Sequence, residues 1–404
     1  MKHRLILMLL IICLCLQSGC GNKIELNKLG IVSAMAFDLD ESNQWIVTFQ
    51  IIIPQASQGQ SGTASSQSPV SVFSSQGKTV LQAIQNQELE TPRRLFFSHN
   101  RAVIISRRVA EYGVDSILDF FLRNIETREN VDILLSDGEA KNVLEVLTPM
   151  ETLPGNAIAN LINEKRDGMS NWVPSKIHDL IVTLAKPAAG AALPEIKISG
   201  NKEETKSLDA FKETRSPAVL KIDRFGVFKQ GKFAAWLSRK ESAGIPWLTD
   251  RLNSTTVVFS CEGKRPKDKD SSFSVESSRT RIMPKFSDGR LSMSVDVDAK
   301  GILFETPCEL DLKKPAILRQ LEKQIQEQIK NDMERSFQAV KKVKADILGF
   351  GDAFHKAYPR EWKTWSENWD NEFAKIQLDI NVKVTIRRTG MINDSFSKMS
   401  GKNK

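Results

Sequence analysis

Histidine and cysteine are scarce in this 404-residue chain. Beyond His3 the histidines are His99, His178 and His355, and none has a partner at a metal-ligand spacing such as HExxH. No GxSxG elbow supplies a nucleophile for a histidine to activate. They are read as structural or hydrogen-bonding residues. Only Cys261 and Cys308 lie beyond the first twenty residues. A bridge between them is permitted outside the cytoplasm, but nothing in the sequence brings them together, and the expectation is two buried thiols. A phosphate loop is missing too: Gly349-Phe350-Gly351 follows a helical pattern, has no GK[ST], and is read as that helix's C-terminal cap. No spacing selects a carboxylate pair for glycoside hydrolysis. The expectation is a non-enzyme with no cofactor and no metal.

Long apolar runs are also few. Twelve uninterrupted apolar residues, Leu5–Leu16, follow Lys2 and Arg4 and precede Ser18-Gly19-Cys20. That order of charge, apolar run and small residues describes a secretory signal. The run is too short for a bilayer core of roughly 30 Å, which needs about 20 residues. No later stretch reaches the length of a membrane span. The cysteine directly after the small pair makes the segment resemble a bacterial lipoprotein signal, with Cys20 as the acylated first residue; Gln17 stands where such signals favour Leu. Cys13 and Cys15 belong to the apolar run. The formal charge of +8 falls to +6 once Lys2 and Arg4 are removed. A basic, lipid-anchored body is drawn to anionic head groups or wall polymers. Its cations are spread along the chain rather than interleaved with aromatics, which argues against nucleic acid.

Along the body, Leu29–Phe37 and Trp45–Ile53 flank an acidic link, Asp38–Asn43, as a hairpin with a solvated turn. Gln55–Ser68 is rich in Gln, Ser and Gly and is read as a disordered loop. A strand at Pro69–Ser74 and a helix from Thr79, signalled by Gln82 three residues on, come next. Extended pieces around Ser98-His99-Asn100, a helix at Asp115–Arg123 and a strand at Val131–Ser136 follow. Helices are expected at Glu139–Val146, Gly155–Glu164 and Ser175–Ala185, then a strand at Glu195–Ser199. The polar run before Pro217 marks the main boundary. The expected division is therefore 1–19 leader, 20–200 first α+β domain, 201–217 linker, 218–390 second α+β region (two subdomains if split near 300) and 391–404 polar tail. The second half begins with strands at Ala218–Asp223, Gly226–Lys229 and Lys232–Leu237, then a helix at Glu241–Arg251 and strands to Phe304. From Pro315, apolar residues at Leu321, Ile325, Ile329, Met333, Phe337, Val340, Val343 and Ile347 predict one long amphipathic helix. Trp362, Trp365 and Trp369 fall on one helical face, read as core. Ile376 to Ile386 alternates strictly, as a strand of an antiparallel sheet does.

Several blocks together carry a resemblance: IELNKLGIVSAMAFD (24–38), PRRLFFSHNRAVIIS (92–106), LDFFLRNIETR (118–128), GVFKQGKFAAWLSRKESAGIPWL (226–248), DILGFGDAFHKAYPREWKTW (346–365) and VTIRRTG (384–390). Their content and order resemble the Ger(x)C family, the lipoprotein C subunits of spore germinant receptors. The resemblance implies an α+β fold of mostly antiparallel sheets flanked by helices, anchored through Cys20 on the outer face of the spore inner membrane. It also implies two membrane-spanning partners, an A subunit and a permease-like B subunit. Cys20 is the one functional residue it transfers. Surfaces around Gly349–Trp365 are expected to meet the partners.

Two other readings compete. A substrate-binding lipoprotein of an importer shares the anchor but should show two lobes of repeated βα units, whereas strands here follow one another in the second half. A cell-wall hydrolase fits the location and charge but lacks a zinc set or a Cys-His pair.

Overall fold

The computed structural model describes residues 25, 28–53, 68–148, 150–151, 153–163, 176–186, 188–205, 214, 216–252, 254–261 and 270–390. The expected leader with Cys20, the expected loop up to residue 67 and the residues after 390 lie outside them.

β1 (Leu29–Leu39) and β2 (Trp45–Ile52) form the expected hairpin, with Phe37 opposite Val47. Its acidic link is only partly solvated. Asp38 belongs to β1 and is buried, accepting from the Ala140 and Lys141 amides at 2.8 and 3.0 Å. The turn proper is organised by Asp40, whose Oδ1 accepts from the Ser42 and Gln44 amides, both at 2.8 Å. β3 (Val70–Gly77) pairs with the other edge of β2. α1 (Val80–Glu90) opens as its sequence indicates: Thr79 Oγ1 accepts from the Gln82 amide at 3.1 Å. The reciprocal bond from Gln82 reaches back one residue further, to the Lys78 amide at 2.7 Å.

β4 (Arg94–Phe96) and β5 (Ala102–Ser106) follow, then α2 (Arg107–Tyr112), α3 (Asp115–Arg123) and β6 (Asp132–Ser136). Next come α4 (Lys141–Leu144), α5 (Pro154–Asn163), α6 (Ile177–Leu184), β7 (Gly190–Gly200), β8 (Ala218–Lys229) and β9 (Lys232–Leu237). All nine strands form one sheet ordered β3-β2-β1-β5-β6-β7-β8-β9, with β4 beside the start of β1. Its centre is parallel, because helices carry the chain back between β5, β6 and β7. Both faces of that centre are buried. Val103, Ile105, Ile133 and Leu135 pack under α1, α2, α3 and α6, while Ala102, Ile104 and Leu134 pack under α4 and α5. That is why AVIIS and DILLS read as unbroken apolar runs. The 201–217 stretch joins β7 to β8, which are adjacent antiparallel strands with Ile198 opposite Leu220. The hydrogen-bonded ladder thus continues past it.

The single helix expected at Glu241–Arg251 is two short ones, α7 (Arg239–Ser242) and α8 (Ile245–Leu248). Gly244 separates them, donating to Ser336 Oγ at 2.8 Å. β10 (Thr255–Ser260), β11 (Asp270–Ser287) and β12 (Arg290–Glu305) form an antiparallel meander. α9 (Pro315–Val343) is the long helix, with Pro315 in its first turn and Leu321, Ile325, Ile329, Met333, Phe337 and Val340 buried. It stops at Lys344, in the left-handed conformation at φ 54°, so Ile347 lies beyond it. Gly349 does not cap it; at φ 75° it opens α10 (Phe350–Ala357) instead. α11 (Pro359–Ser366) and α12 (Trp369–Lys375) lead into β13 (Gln377–Arg388). β13 alternates as expected but pairs parallel to β12, with Val295 opposite Ile380, because four helices intervene. The fold is thus α+β, two sheets flanked by helices, both mixed in strand direction.

Cys261 and Cys308 are not two thiols. They form a disulfide with Cα atoms 6.4 Å apart, closing a loop across 47 positions. β10 ends beside the segment that follows β12, so the pairing of β10, β11 and β12 supplies the proximity that sequence could not.

Candidate functional site

The sequence-derived residues do not converge on one place. Cys20 lies outside the described residues, nine positions before β1 begins. His99 sits beside the Phe96 ring with centroids 5.6 Å apart, and His178 Nδ1 is 2.9 Å from Glu129 Oε2. His355 stacks on Trp362 at 5.5 Å. Among the described residues no group of three His, Cys, Asp or Glu is placed to hold a metal. No helix among them is long and apolar enough to cross a membrane.

One constellation is built with unusual care, at Asp346. It follows α9 and is wholly buried, its carboxylate ringed by donors. Oδ1 accepts from the Leu348 and Phe350 amides at 3.2 and 3.1 Å. Oδ2 accepts from the Gly351 amide at 2.6 Å and from Trp369 Nε1 at 3.1 Å. Desolvation pushes this carboxyl above its ordinary range, and the donors pull it part of the way back. The same residue's carbonyl accepts from the Gly190 amide at 3.0 Å, tying this turn to β7 of the first sheet.

Around it stands an aromatic cluster. Trp362 and Trp369 meet edge to face at 4.8 Å, and Phe354 lies 5.8 Å from both Trp365 and Trp369. The three tryptophans do not share one continuous helix, since α11 ends at Ser366, but they do gather as core. A side chain at Gly351 would press on Trp362 and Trp369, so only glycine lets α10 approach them. The aromatic side of the 349–365 block is therefore spent inside the molecule. Its outer side is charged, with His355, Lys356, Arg360, Glu361 and Lys363 exposed.

Beside Asp346 a cleft of about 190 Å³ opens between the two sheets, lined by Thr183, Lys186, Phe225, Thr249, Arg251 and Asp352 among others. Two of its charges pair across it: Lys186 Nζ is 2.7 Å from Asp352 Oδ2, and Asp352 is held below the ordinary carboxylate range by that bond. A second ion-pair knot lies over the first sheet. Arg224 holds the buried Glu195 in a two-pronged pair at 2.7 and 3.0 Å, reaches Asp137 at 2.7 Å, and lies 4.1 Å above Trp236. Within these pairs the charges neutralise one another.

The family described as "Spore germination protein N-terminal domain" matches residues 22–198. That described as "Spore germination B3/ GerAC like, C-terminal" matches residues 223–390. The chain belongs to the Ger(x)C family of spore germination proteins. It is 29% identical to spore germination protein KC of Bacillus subtilis, over 96% of this chain and 97% of that one. Spore germination proteins A3 and B3 of the same organism are 23% and 22% identical, covering 96% and 95% of this chain and 98% and 96% of theirs. The crystal structure of the GerBC protein superposes with a TM-score of 0.56 at 16% identity, covering 88% of this chain and 97% of that one. That likeness extends to the fold.

Within this Ger(x)C chain, Asp346 was not singled out by sequence, although it begins the DILGFGDAFHKAYPREWKTW block. An Asp between an apolar helix end and a Gly-x-Gly turn gives some signal for an acceptor capping the amides that follow. The Glu195–Arg224 pair gave none, because its partners lie on β7 and β8 across the linker.

Proposed function

We propose that the chain is a non-enzymatic, lipid-anchored subunit of a spore nutrient germinant receptor, required for the germination response. It is tethered through Cys20 on the extracytoplasmic face of the spore inner membrane. It acts beside two membrane-spanning partners, an A subunit and a permease-like B subunit. The observation carrying this reading is a match to both family halves across nearly the whole body, behind a leader ending Ser18-Gly19-Cys20. The self-neutralised ion pairs and the aromatic packing around Asp346 support a scaffold rather than a catalyst. The charged outer side of α10 and α11 is the surface assigned to a partner. Two regions, 20–200 and 218–390, joined at 201–217 remain the proposed covalent organisation, with β8 and β9 of the second completing the first sheet.

The test is dipicolinic acid release from spores lacking the gene, from the same spores restored, and from spores carrying Cys20→Ala. Loss of release with one set of nutrients, and normal release with a non-nutrient trigger, is expected for the deletion. Cys20→Ala should fail to restore it. An unchanged response to every nutrient would overturn the receptor reading. Full rescue by Cys20→Ala would remove the anchor alone. For the partner surface, the combined Lys356→Glu, Arg360→Glu and Lys363→Glu variant should lose co-purification with the membrane partners while keeping the parent's thermal transition; intact recovery would remove that surface.

A further inference from the structure

The strands β1, β4, β5 and β6 all begin at one end of the first sheet. Leu29 lies opposite Arg94, and the Arg101 amide just before β5 donates to the Ser33 carbonyl at 2.9 Å. The Asp132 amide, opening β6, donates in turn to the Arg101 carbonyl at 3.3 Å. α1 leads directly into β4, and the turn after α3 is bonded to Arg94 and Ser98, so the C-terminal ends of both helices arrive at the same place. There the chain leaves three large apolar side chains in solvent: Leu89 is 87%, Leu122 56% and Ile125 99% exposed.

Ile125 is not on a loose loop. The Glu126 amide donates to Asn124 Oδ1 at 3.0 Å, and Thr127 Oγ1 donates to the Asn124 carbonyl at 2.8 Å. Ser98 Oγ donates to the Glu126 carbonyl at 3.3 Å, and Glu126 pairs with Arg94. These bonds pin the turn onto β4 with Ile125 at its tip. A single exposed apolar residue needs no explanation, but three on adjacent element ends, one held fully out by a bonded turn, mark a surface that meets something apolar.

Cations stand among them. Lys28, Arg94, Arg101 and Arg128 are exposed and Arg93 half-buried. Glu129 is occupied by His178 and Glu126 by Arg94, which leaves Glu25, Glu88 and Glu90 as the opposing charges at this end. The mixture is apolar tips set among guanidinium groups, with little net charge, which suits the interfacial layer of a phospholipid bilayer: side chains reach the acyl boundary while arginines meet phosphates.

The tether selects the same end. Leu29 follows Cys20 by nine positions. At no more than about 3.6 Å per residue they span at most about 30 Å. The end where β1 begins is therefore the part of the body held closest to the bilayer, while the β1–β2 turn lies at the far end. We infer that this end of the first sheet, with Leu89, Leu122 and Ile125 at its tips, seats on the phospholipid surface and sets the orientation of the whole body. The inference rests on the Cys20 anchor of the proposed function, and its test separates the two.

The full chain, with Cys13→Ser and Cys15→Ser, carries an environment-sensitive fluorophore on a single added cysteine, at Ile125→Cys or, as control, at Glu41→Cys in the far turn. The bridged Cys261 and Cys308 offer no thiol for labelling. In membranes bearing the acylated protein, the label at 125 should shift to the blue and be quenched by lipids carrying a bromine quencher; the label at 41 should do neither. Absence of the protein from the membrane fraction would refute the anchor and not the surface. A second arm covers that case: the chain from residue 21, tethered by an N-terminal histidine tag to nickel-chelating lipid in pure phospholipid vesicles. Quenching at 125 alone upholds the inference in this arm as well. Equal quenching at both positions, or none at 125, overturns it. A blue shift at 125 in cell membranes without lipid quenching would mean that a protein partner covers this end, and would overturn it too.

Discussion

Asp346 shows what a buried charge does for this chain at the scale of one residue. Four donors converge on two oxygens, so the buried Leu348, Phe350 and Gly351 amides and the Trp369 indole are all met. Asp346→Asn keeps the shape but turns an amide nitrogen toward two of those donors. Leaving buried donors unmet costs about 1–3 kcal/mol each, and an overall loss of about 3 kcal/mol is expected in urea unfolding. The pH dependence of that loss has a defined sign. The folded-state carboxyl is raised above its unfolded value by burial. The folded state therefore binds more protons in the window above the ordinary Asp range, and the parent's contribution from this group falls as pH rises through the folded pKa. The variant has no such group, so the gap between parent and variant should be widest near pH 4 and narrower at pH 8. A gap that widens with pH would contradict this account. The sequence exposed the ingredients, Asp before Gly-Phe-Gly, but suggested the wrong use for the glycines. Here a left-handed residue stops one helix and another precedes the next, and Lys344 takes the first task, leaving Gly349 the second.

Among elements, α9 was the most legible, because a helix resting on one sheet repeats its burial every three or four residues. The six expected positions from Leu321 to Val340 are all buried, and the pattern misled only where it ran past Lys344 into Ile347. The single helix expected at Glu241–Arg251 failed for a physical reason the pattern does not carry. The Gly244 backbone lies against α9, where a Cβ would collide with the Asp332 carbonyl oxygen. The chain breaks there into α7 and α8, and the Gly244 amide donates to Ser336 instead of closing a helical turn. Gly244→Ala should lower stability by about 2 kcal/mol through overpacking. Gly138→Ala makes a useful control, since nothing lies near the added methyl and the backbone there is not left-handed. Equal thermal midpoints for the two variants would show that α9 yields to the methyl. The direction of β13 was illegible for another reason. Alternation reports which face is buried, whereas the direction of pairing is decided by the long crossover before it.

At the scale of the whole molecule, the two sheets are not independent bodies joined by a strap. Phe225, Val227 and Leu237, from β8 and β9 of the first sheet, are buried in the core that α9 and the second sheet share. Lys186 pairs with Asp352 at 2.7 Å and Lys229 with Asp370 at 2.7 Å, while the Gly190 amide reaches the Asp346 carbonyl. The polar stretch before Pro217 is charged and poor in apolar residues; it could not reveal that β8 returns to pair with β7, since strand partnership is a long-range property. The disulfide offers a lever on this coupling, because it lies wholly in the second half. Closing a loop of this length stabilises by about 4 kcal/mol on the chain-entropy estimate. If the halves unfold as one, the double variant Cys261→Ala, Cys308→Ala should lose that stability everywhere. Hydrogen exchange at Ile104 and Leu134, in the centre of the first sheet, should then accelerate as much as exchange at Val295 in β12. Acceleration confined to β11 and β12 would show that the shared core around Phe225 does not transmit unfolding. The first sheet would then be a separate cooperative unit, able to stay folded while the second half opens.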